Sequence, residues 1–374
     1  MASLCEALVA VDSVNPDLVA GAQGEGHLAQ MVAAWLEARG VEVALEEVVD
    51  GRANVIGVVR GSCAGAGLML NAHLDTVGLG PASAGTRPSR HEGRLYGRGA
   101  QDTKSGLAAA MTAVAALVGA PLRRDVVLAA VVDEEGESKG TEALLRGWTA
   151  DAAIVLEPTA HAVVPVHKGF VWAQIDAEGV AAHGSDYVRG VDAIRAMGHI
   201  LVELDRLDRR LQRRDVELVG PPSLHASLVT GGREVPTYPD LCSLVLERRT
   251  VPGEAVGDVM AELQAAAATA RTRDRGARWS AKVSMLMVRE PLATPMGAPV
   301  VQAVLTASRN VLGGATVAAA PFWTDAALMS VAGIPSVVFG PSGGGMHSSN
   351  EWVDVGSVVG VADVLHAVAM ALCG

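Results

Sequence analysis

In the segment LNAHLDTVG the apolar run GLML ends on His73 and Asp75, two positions apart. Alternate residues of a strand point to the same side, so an imidazole and a carboxylate would be neighbours there. A metal-ligating histidine commonly gives its second ring N–H to such a carboxylate, which fixes the ring and raises its basicity. An isolated H-x-D more often marks a solvated strand end, so the pair gains meaning only from what accompanies it. Three more apolar runs end in ligand-type residues: DVVLAAVVDEE in Glu134 and Glu135, DAAIVLEPT in Glu157, and IPSVVFGPSGGGMHSSNE in His347. Asp102 follows a flexible turn, with Gly97 and Gly99, in LYGRGAQDTKSG. Two histidines and three carboxylates make a mixed nitrogen and oxygen donor set suited to zinc and similar ions. Three ligating carboxylates leave a pair of divalent ions one positive charge in excess, which a single hydroxide neutralises. Glu134 and Glu135 are adjacent and face different ways at a strand end, so one can bind metal while the other is free as a general base. Alone, DEEGES would be an acidic surface turn; the donors at the other strand ends decide against that.

The elements that must position these residues alternate between strand and helix, as in an open sheet with parallel strands. Ligand sites in such sheets lie just beyond the carboxyl ends of the strands, where these polar residues fall. Near the N-terminus, GEGHLAQMVAAWLEARG has helical spacing and a stop at Gly40, and VEVALEEVVDGRANVIGVVRG reads as two strands. From about residue 170 to 286 the texture changes to a β-α-β-β-α-β order: FVWAQIDAEG, a charged helix from Val191 to Arg214, SLHASLVTGG, LCSLVLERRT, GEAVGDVMAELQAAAATA and WSAKVSMLM. This is a ferredoxin-like order. Its place between the third and fourth donor-bearing strands predicts a discontinuous domain of residues 1–169 and 287–374, interrupted by an inserted domain of residues 170–286.

Composition narrows the function. A chain of 374 residues, half of them hydrophobic, can build two cores. A formal net charge of −11 and no basic stripe argue against nucleic acid. Cys5, Cys63, Cys242 and Cys373 lack C-x-x-C spacing and read as reduced packing residues. No basic leader precedes the first apolar residues, and the longest uncharged apolar run, residues 105 to 122, is short for a membrane span and reads as a buried helix. A cytoplasmic enzyme without a membrane partner is expected.

The chain resembles the co-catalytic zinc metallopeptidase family that includes acetylornithine deacetylase, succinyl-diaminopimelate desuccinylase, aminoacylase and bacterial glutamate carboxypeptidase. The matching motifs are HLDTV, GRGAQDTKSG, DEEGESKGTEAL, EPT with HKG, AAHGSDYVRGVDAI, ERRTVPGE, TDAALMSVAGIPSVVFGPS and HSSNEWV, in family order over nearly the whole chain. The resemblance implies a zinc-peptidase-like α/β fold, a mixed sheet flanked by helices, with an inserted α+β ferredoxin-like lid or dimerisation domain. It implies two Zn²⁺ per chain, replaceable by Co²⁺ or Mn²⁺, with Asp102 bridging them. His73 and Glu157 would complete one ion's ligands, and Glu135 and His347 the other's. Asp75 would orient His73, Glu134 would be the general base, and a cis peptide would follow Asp102. In a homodimer His183 would reach the partner's site and donate to the substrate carbonyl. Arg249 would grip a substrate carboxylate, with Arg248 beside it exposed, and Thr324, Asp325 and Gly340 would line the substrate pocket.

Two positions depart from the family pattern: Pro236 stands where relatives usually have asparagine, and Trp323 where they often have glycine. The expected function is hydrolysis of the amide of a small N-acyl amino acid, of the acetylornithine deacetylase kind. Desuccinylation of an N-succinyl diamino acid, and aminoacylase or carboxypeptidase action on a dipeptide-like or specialised biosynthetic substrate, are alternatives. A metal-free binding protein is the alternative outside enzymes.

Overall fold

The computed structural model describes residues 1–80 and 87–374. They form two compact units. One comprises Met1–Pro165, Ala293–Ala320 and Thr324–Gly374, the other Val166–Leu292 with Pro321–Trp323.

The first unit is built on a mixed sheet. At its centre Ala66–His73 runs parallel to Asp125–Val131 on one side and to Ala153–Val155 on the other, and Ser336–Val338 runs parallel to Ala153–Val155. Arg52–Val59 adds antiparallel to Asp125–Val131, and Glu42–Val49 antiparallel to Arg52–Val59. Every residue of Ala66–His73 and of Asp125–Val131 is buried, as expected of parallel strands covered on both faces. Because the central strands share a direction, the residues that follow them emerge along one edge.

The helices that cover the sheet are apolar and low in bulk. Lys104–Ala116 buries Leu107, Ala108, Ala109, Ala110, Met111 and Val114, and it lies close because Gly106 has no side chain: a Cβ there would come within 2.3 Å of the Leu156 carbonyl. The run from residue 105 is thus a core helix as far as Ala116, where the helix ends, and the remainder to residue 122 is not helical. The helix Gly26–Glu37 also forms, followed by Gly40 at φ +81°. The C-terminal helix Val355–Cys373 is long and apolar enough to cross a membrane by length and composition; Val358, Val361, Leu365 and Val368 are buried, and it packs on Lys104–Ala116 and on Pro299–Leu312.

The second unit is a four-stranded antiparallel sheet in the order Ser223–Gly231, Leu241–Thr250, Gly169–Glu178, Ser280–Arg289. Helices Ala193–Leu211 and Val256–Arg273 share its core, which holds Ala173, Ile175, Leu244, Leu246, Ile200, Leu204 and Leu263. The chain order is β-α-β-β-α-β. One expectation fails here. Arg248 is buried, not exposed, and its guanidinium reaches Glu254 at 2.7 Å and Glu262 at 3.3 Å. The reason is strand alternation: Leu244 and Leu246 face the helices, so Arg248 does too, and Arg249 is turned to the opposite face.

Candidate metal centre

The edge formed by the central strands gathers the donors. His73 is the last residue of Ala66–His73, Glu134 and Glu135 follow Asp125–Val131, and Glu157 follows Ala153–Val155. Asp102 precedes the helix Lys104–Ala116 and is joined to Thr103 by a cis peptide bond, as the resemblance implies. Its carboxylate is the centre of the cluster: Oδ1 lies 2.9 Å from His73 Nε2 and Oδ2 lies 3.1 Å from His347 Nε2. Glu157 Oε1 is 3.6 Å from His73 Nε2, and Glu135 Oε1 is 3.2 Å from His347 Nε2. Two ligands about 2.1 Å from a tetrahedral zinc stand roughly 3.4 Å apart, so these separations are those of atoms that can share a cation. The groups His73, Asp102, Glu135 and His73, Glu134, Glu157 each place their donor atoms within 4.8 Å of one another.

Electrostatics agree with the geometry. Burial disfavours a charge on His73, yet Glu157 and Asp102 outweigh it and raise its pKa well above the usual imidazole range. Hydrogen bonds to Asp102 and Glu135 push His347 up to about 10. Burial raises Glu134 and Glu157 far above the ordinary carboxylate range, with only partial relief from His73, and raises Glu135 as well. Asp102 is also buried, but its hydrogen bonds to both histidines hold it low. A pocket that binds protons this tightly is short of positive charge, which cations would supply.

Asp75 does more than orient a ring. The nearest partner of His73 Nδ1 is the Asp75 backbone carbonyl at 2.9 Å, with the carboxylate Oδ1 at 3.6 Å. The carboxylate instead accepts the backbone N–H of Glu134 and of Glu135, each at 3.0 Å, and Asn15 Nδ2 at 2.8 Å. One buried side chain therefore fixes the glutamate pair through its main chain.

Behind it stands a network that the sequence reading did not find. Asn15 Nδ2 also donates to Asp133 Oδ1 at 2.9 Å, and Arg52 Nη2 donates to Asp133 at 3.1 Å and to Glu25 at 2.6 Å. Asp133 adopts φ +68°, a conformation L side chains seldom take, directly before the two glutamates. Arg98 and Glu351 were missed as well, although Arg98 lies in GRGAQDTKSG and Glu351 in HSSNEWV, four residues after His347. The sequence signals were an aspartate beside the glutamate pair and a glutamate four residues after a histidine.

The remaining residues lie elsewhere. Thr324 and Asp325 are buried, and Asp325 Oδ2 accepts from Thr141 Oγ1 at 2.6 Å, with burial raising its pKa to about 6. Gly340 is buried against Glu157, where a Cβ would come within 2.1 Å of the Glu157 carbonyl. Of these three, Gly340 backs the Glu157 main chain. In the second unit, His183 is exposed and its Nδ1 is 2.8 Å from Ser185 Oγ. Arg249 stands opposite Phe170 across the strands, 5.4 Å from its ring, and its Nε donates to Glu247 at 2.7 Å. Trp323 packs edge-on against Phe170, with ring centroids 6.2 Å apart.

A family model described as peptidase family M20/M25/M40 matches residues 69–371. The chain is 31% identical over 353 residues to an acetylornithine deacetylase of Myxococcus xanthus, covering 91% of this chain and 90% of that one. It is 28% identical over 352 residues to the acetylornithine deacetylase of Edwardsiella ictaluri (strain 93-146), covering 91% and 88%. Among solved structures, a tripeptidase of Staphylococcus aureus superposes with a TM-score of 0.81 at 20% identity, over 99% of this chain and 97% of that one. A dinuclear metal binding peptidase from Bacillus subtilis gives a TM-score of 0.75 at 17% identity, over 99% and 97%. At those identities the structural likeness concerns the fold.

Proposed function

The chain belongs to peptidase family M20/M25/M40, and from that membership we propose that it is a two-zinc amidohydrolase that deacylates a small N-acyl amino acid, as an acetylornithine deacetylase does. It is a hydrolase acting on amides. The observation that carries the finer reading is the Asp102 carboxylate, with one oxygen against His73 and the other against His347. A carboxylate so placed supports the reading of a bridge between two cation sites, one with His73 and Glu157, the other with Glu135 and His347. The donor set suits zinc, and Co²⁺ or Mn²⁺ would substitute.

When bound, the ions would polarise the scissile carbonyl and lower the pKa of a water to about 7. Glu134 takes the proton from the attacking water and delivers it to the leaving nitrogen. Asp75 keeps Glu134 in place through its amide. His183 of a partner protomer donates to the developing oxyanion, and Arg249 holds the substrate's α-carboxylate through its planar guanidinium. A homodimer is supported by the edge strand Ser223–Gly231, where Leu228 and Val229 are 67% and 62% exposed beside an unpaired strand edge. The cytoplasm is the compartment we assign, since all four cysteines are free.

The test is metal analysis together with a substrate panel. Protein purified in zinc should carry about two ions per chain and should hydrolyse N-acetylornithine-like compounds in preference to N-succinyl diamino acids and dipeptides. Arg249→Ala should raise KM for substrates with a free α-carboxylate and leave their amides little changed. Protein that stays metal-free after zinc-replete purification would end the enzyme reading, and equal effects on acid and amide would remove Arg249 from the substrate site.

A further inference from the structure

Arg98 and Glu351 form a buried ion pair, 7% and 2% exposed, that joins two parts of the centre far apart in sequence. Glu351 Oε2 accepts from Arg98 Nη1 at 2.6 Å. Its other oxygen accepts the backbone N–H of Gln101 at 2.9 Å and of Asp102 at 3.1 Å, so it holds the main chain on which the central aspartate is mounted. Arg98 Nη2 in turn donates to the His347 carbonyl at 3.2 Å. A single guanidinium–carboxylate pair thus spans the Asp102 turn and the His347 loop.

The two sides of the centre differ in how they are held. His73 is buried at the end of a central strand, and its ring is fixed by the Asp75 carbonyl. His347 sits in an exposed stretch of chain, residues 345–350, with a half-exposed ring and φ +60°. Packing cannot keep such a residue in a left-handed conformation, so its position depends on tethers. The bond from Arg98 reaches its main chain directly.

The geometry points to Arg98 and Glu351 as a positioning pair that sets the affinity of the cation on the His347 side without touching it. This rests on the two-metal reading above. The partners that orient metal ligands are typically worth about 10- to 100-fold in affinity. When the amide bonds beneath the bridging Asp102 are kept and only the tie to His347 is lost, the effect falls on one ion, because the His73 ring is held by the Asp75 carbonyl.

Arg98→Lys is the discriminating variant. It keeps a positive charge beside Glu351 but has one compact ammonium in place of a fork that reaches both Glu351 and the His347 carbonyl. The two affinities are measured separately by titrating Co²⁺ or Zn²⁺ into metal-free protein, with calorimetry and the Co²⁺ absorption spectrum as readouts. One ion should bind as in the parent and the other about 10- to 100-fold more weakly, whatever the change in the melting temperature of the metal-free protein. Glu351→Gln, which still accepts from the two amides but loses its charge toward Arg98, should weaken the same ion and carries the test should Arg98→Lys fail to fold. Two unchanged affinities, or two affinities lowered equally with a fall in melting temperature, would overturn the proposal. A parent protein that binds fewer than two ions would overturn the two-metal reading instead.

Discussion

Glu134 and Glu135 are neighbours in sequence whose carboxylates have different surroundings. Glu135 meets His347, whereas Glu134 falls with His73 and Glu157, where geometry alone would also let it ligate. The proposed roles separate the two by experiment. Glu134→Ala should retain both ions and lose on the order of 10²-fold or more in kcat, the cost of a missing general base, while Glu135→Ala should lose affinity for one ion. Metal content by mass spectrometry together with kcat distinguishes them, and the reverse pattern would exchange the assignments. The donors themselves were legible because imidazole and carboxylate at strand ends have few other uses in such company. Asn15, Arg52, Glu25 and Asp133 were not, because a supporting residue is defined by what it touches, and those contacts join separate parts of the chain. Arg248 was misjudged even though Leu244 and Leu246 carry the period-2 signal that places it inside.

Among the elements, the approach of the chain after Ser336–Val338 to Glu157 is the tightest join beside the centre. Gly340 makes it possible, since any Cβ would meet the Glu157 backbone. Gly340→Ala should therefore cost about 1–3 kcal/mol, the usual range for overpacking, and should weaken the ion that Glu157 would hold. Gly198 is the control of opposite sign: it lies exposed within the helix Ala193–Leu211 with nothing within 4 Å of its Cβ position. Gly198→Ala should stabilise by roughly 0.5–1 kcal/mol through helix propensity. Thermal melts of the metal-free variants check both signs, and a neutral Gly340→Ala would show that the Glu157 turn can yield. The elements were the most readable level, because hydrophobic periodicity reports helix and strand directly. Which strands are antiparallel, as at the Glu42–Val49 and Arg52–Val59 edge, depends on pairing that periodicity does not encode.

For the whole molecule, the proposed use of His183 requires a second copy of the chain. His183→Ala should be nearly inactive with both ions bound, and Glu134→Ala inactive in its own protomer. A mixed dimer of the two would contain one site with Glu134 and the partner's His183 both intact. Co-expression with different tags should then recover activity that neither parent dimer shows. A monomeric protein, or mixed dimers as inactive as the parents, would remove His183 from the reaction. If the exposed edge strand forms the proposed dimer contact, substitution of Leu228 by Glu should weaken dimerisation by placing a charge there, measurable as a shift in sedimentation.

By itself the sequence determined which donor-type side chains end the strands, the alternation of strand and helix, and the β-α-β-β-α-β insertion, because each is carried by residue type and local spacing. The tertiary structure decided what local spacing cannot carry. It decided that Asp102 lies between two histidines, that Asp75 holds the glutamate pair by its main chain, and that Gly340 backs the Glu157 main chain. It also decided that Glu351 and Arg98 tie the Asp102 turn to the His347 loop. The physical reason is that a side chain's role follows from the field and contacts around it, and in a folded chain these come from residues remote in sequence. A pattern can name the donor, but only packing determines what the donor faces.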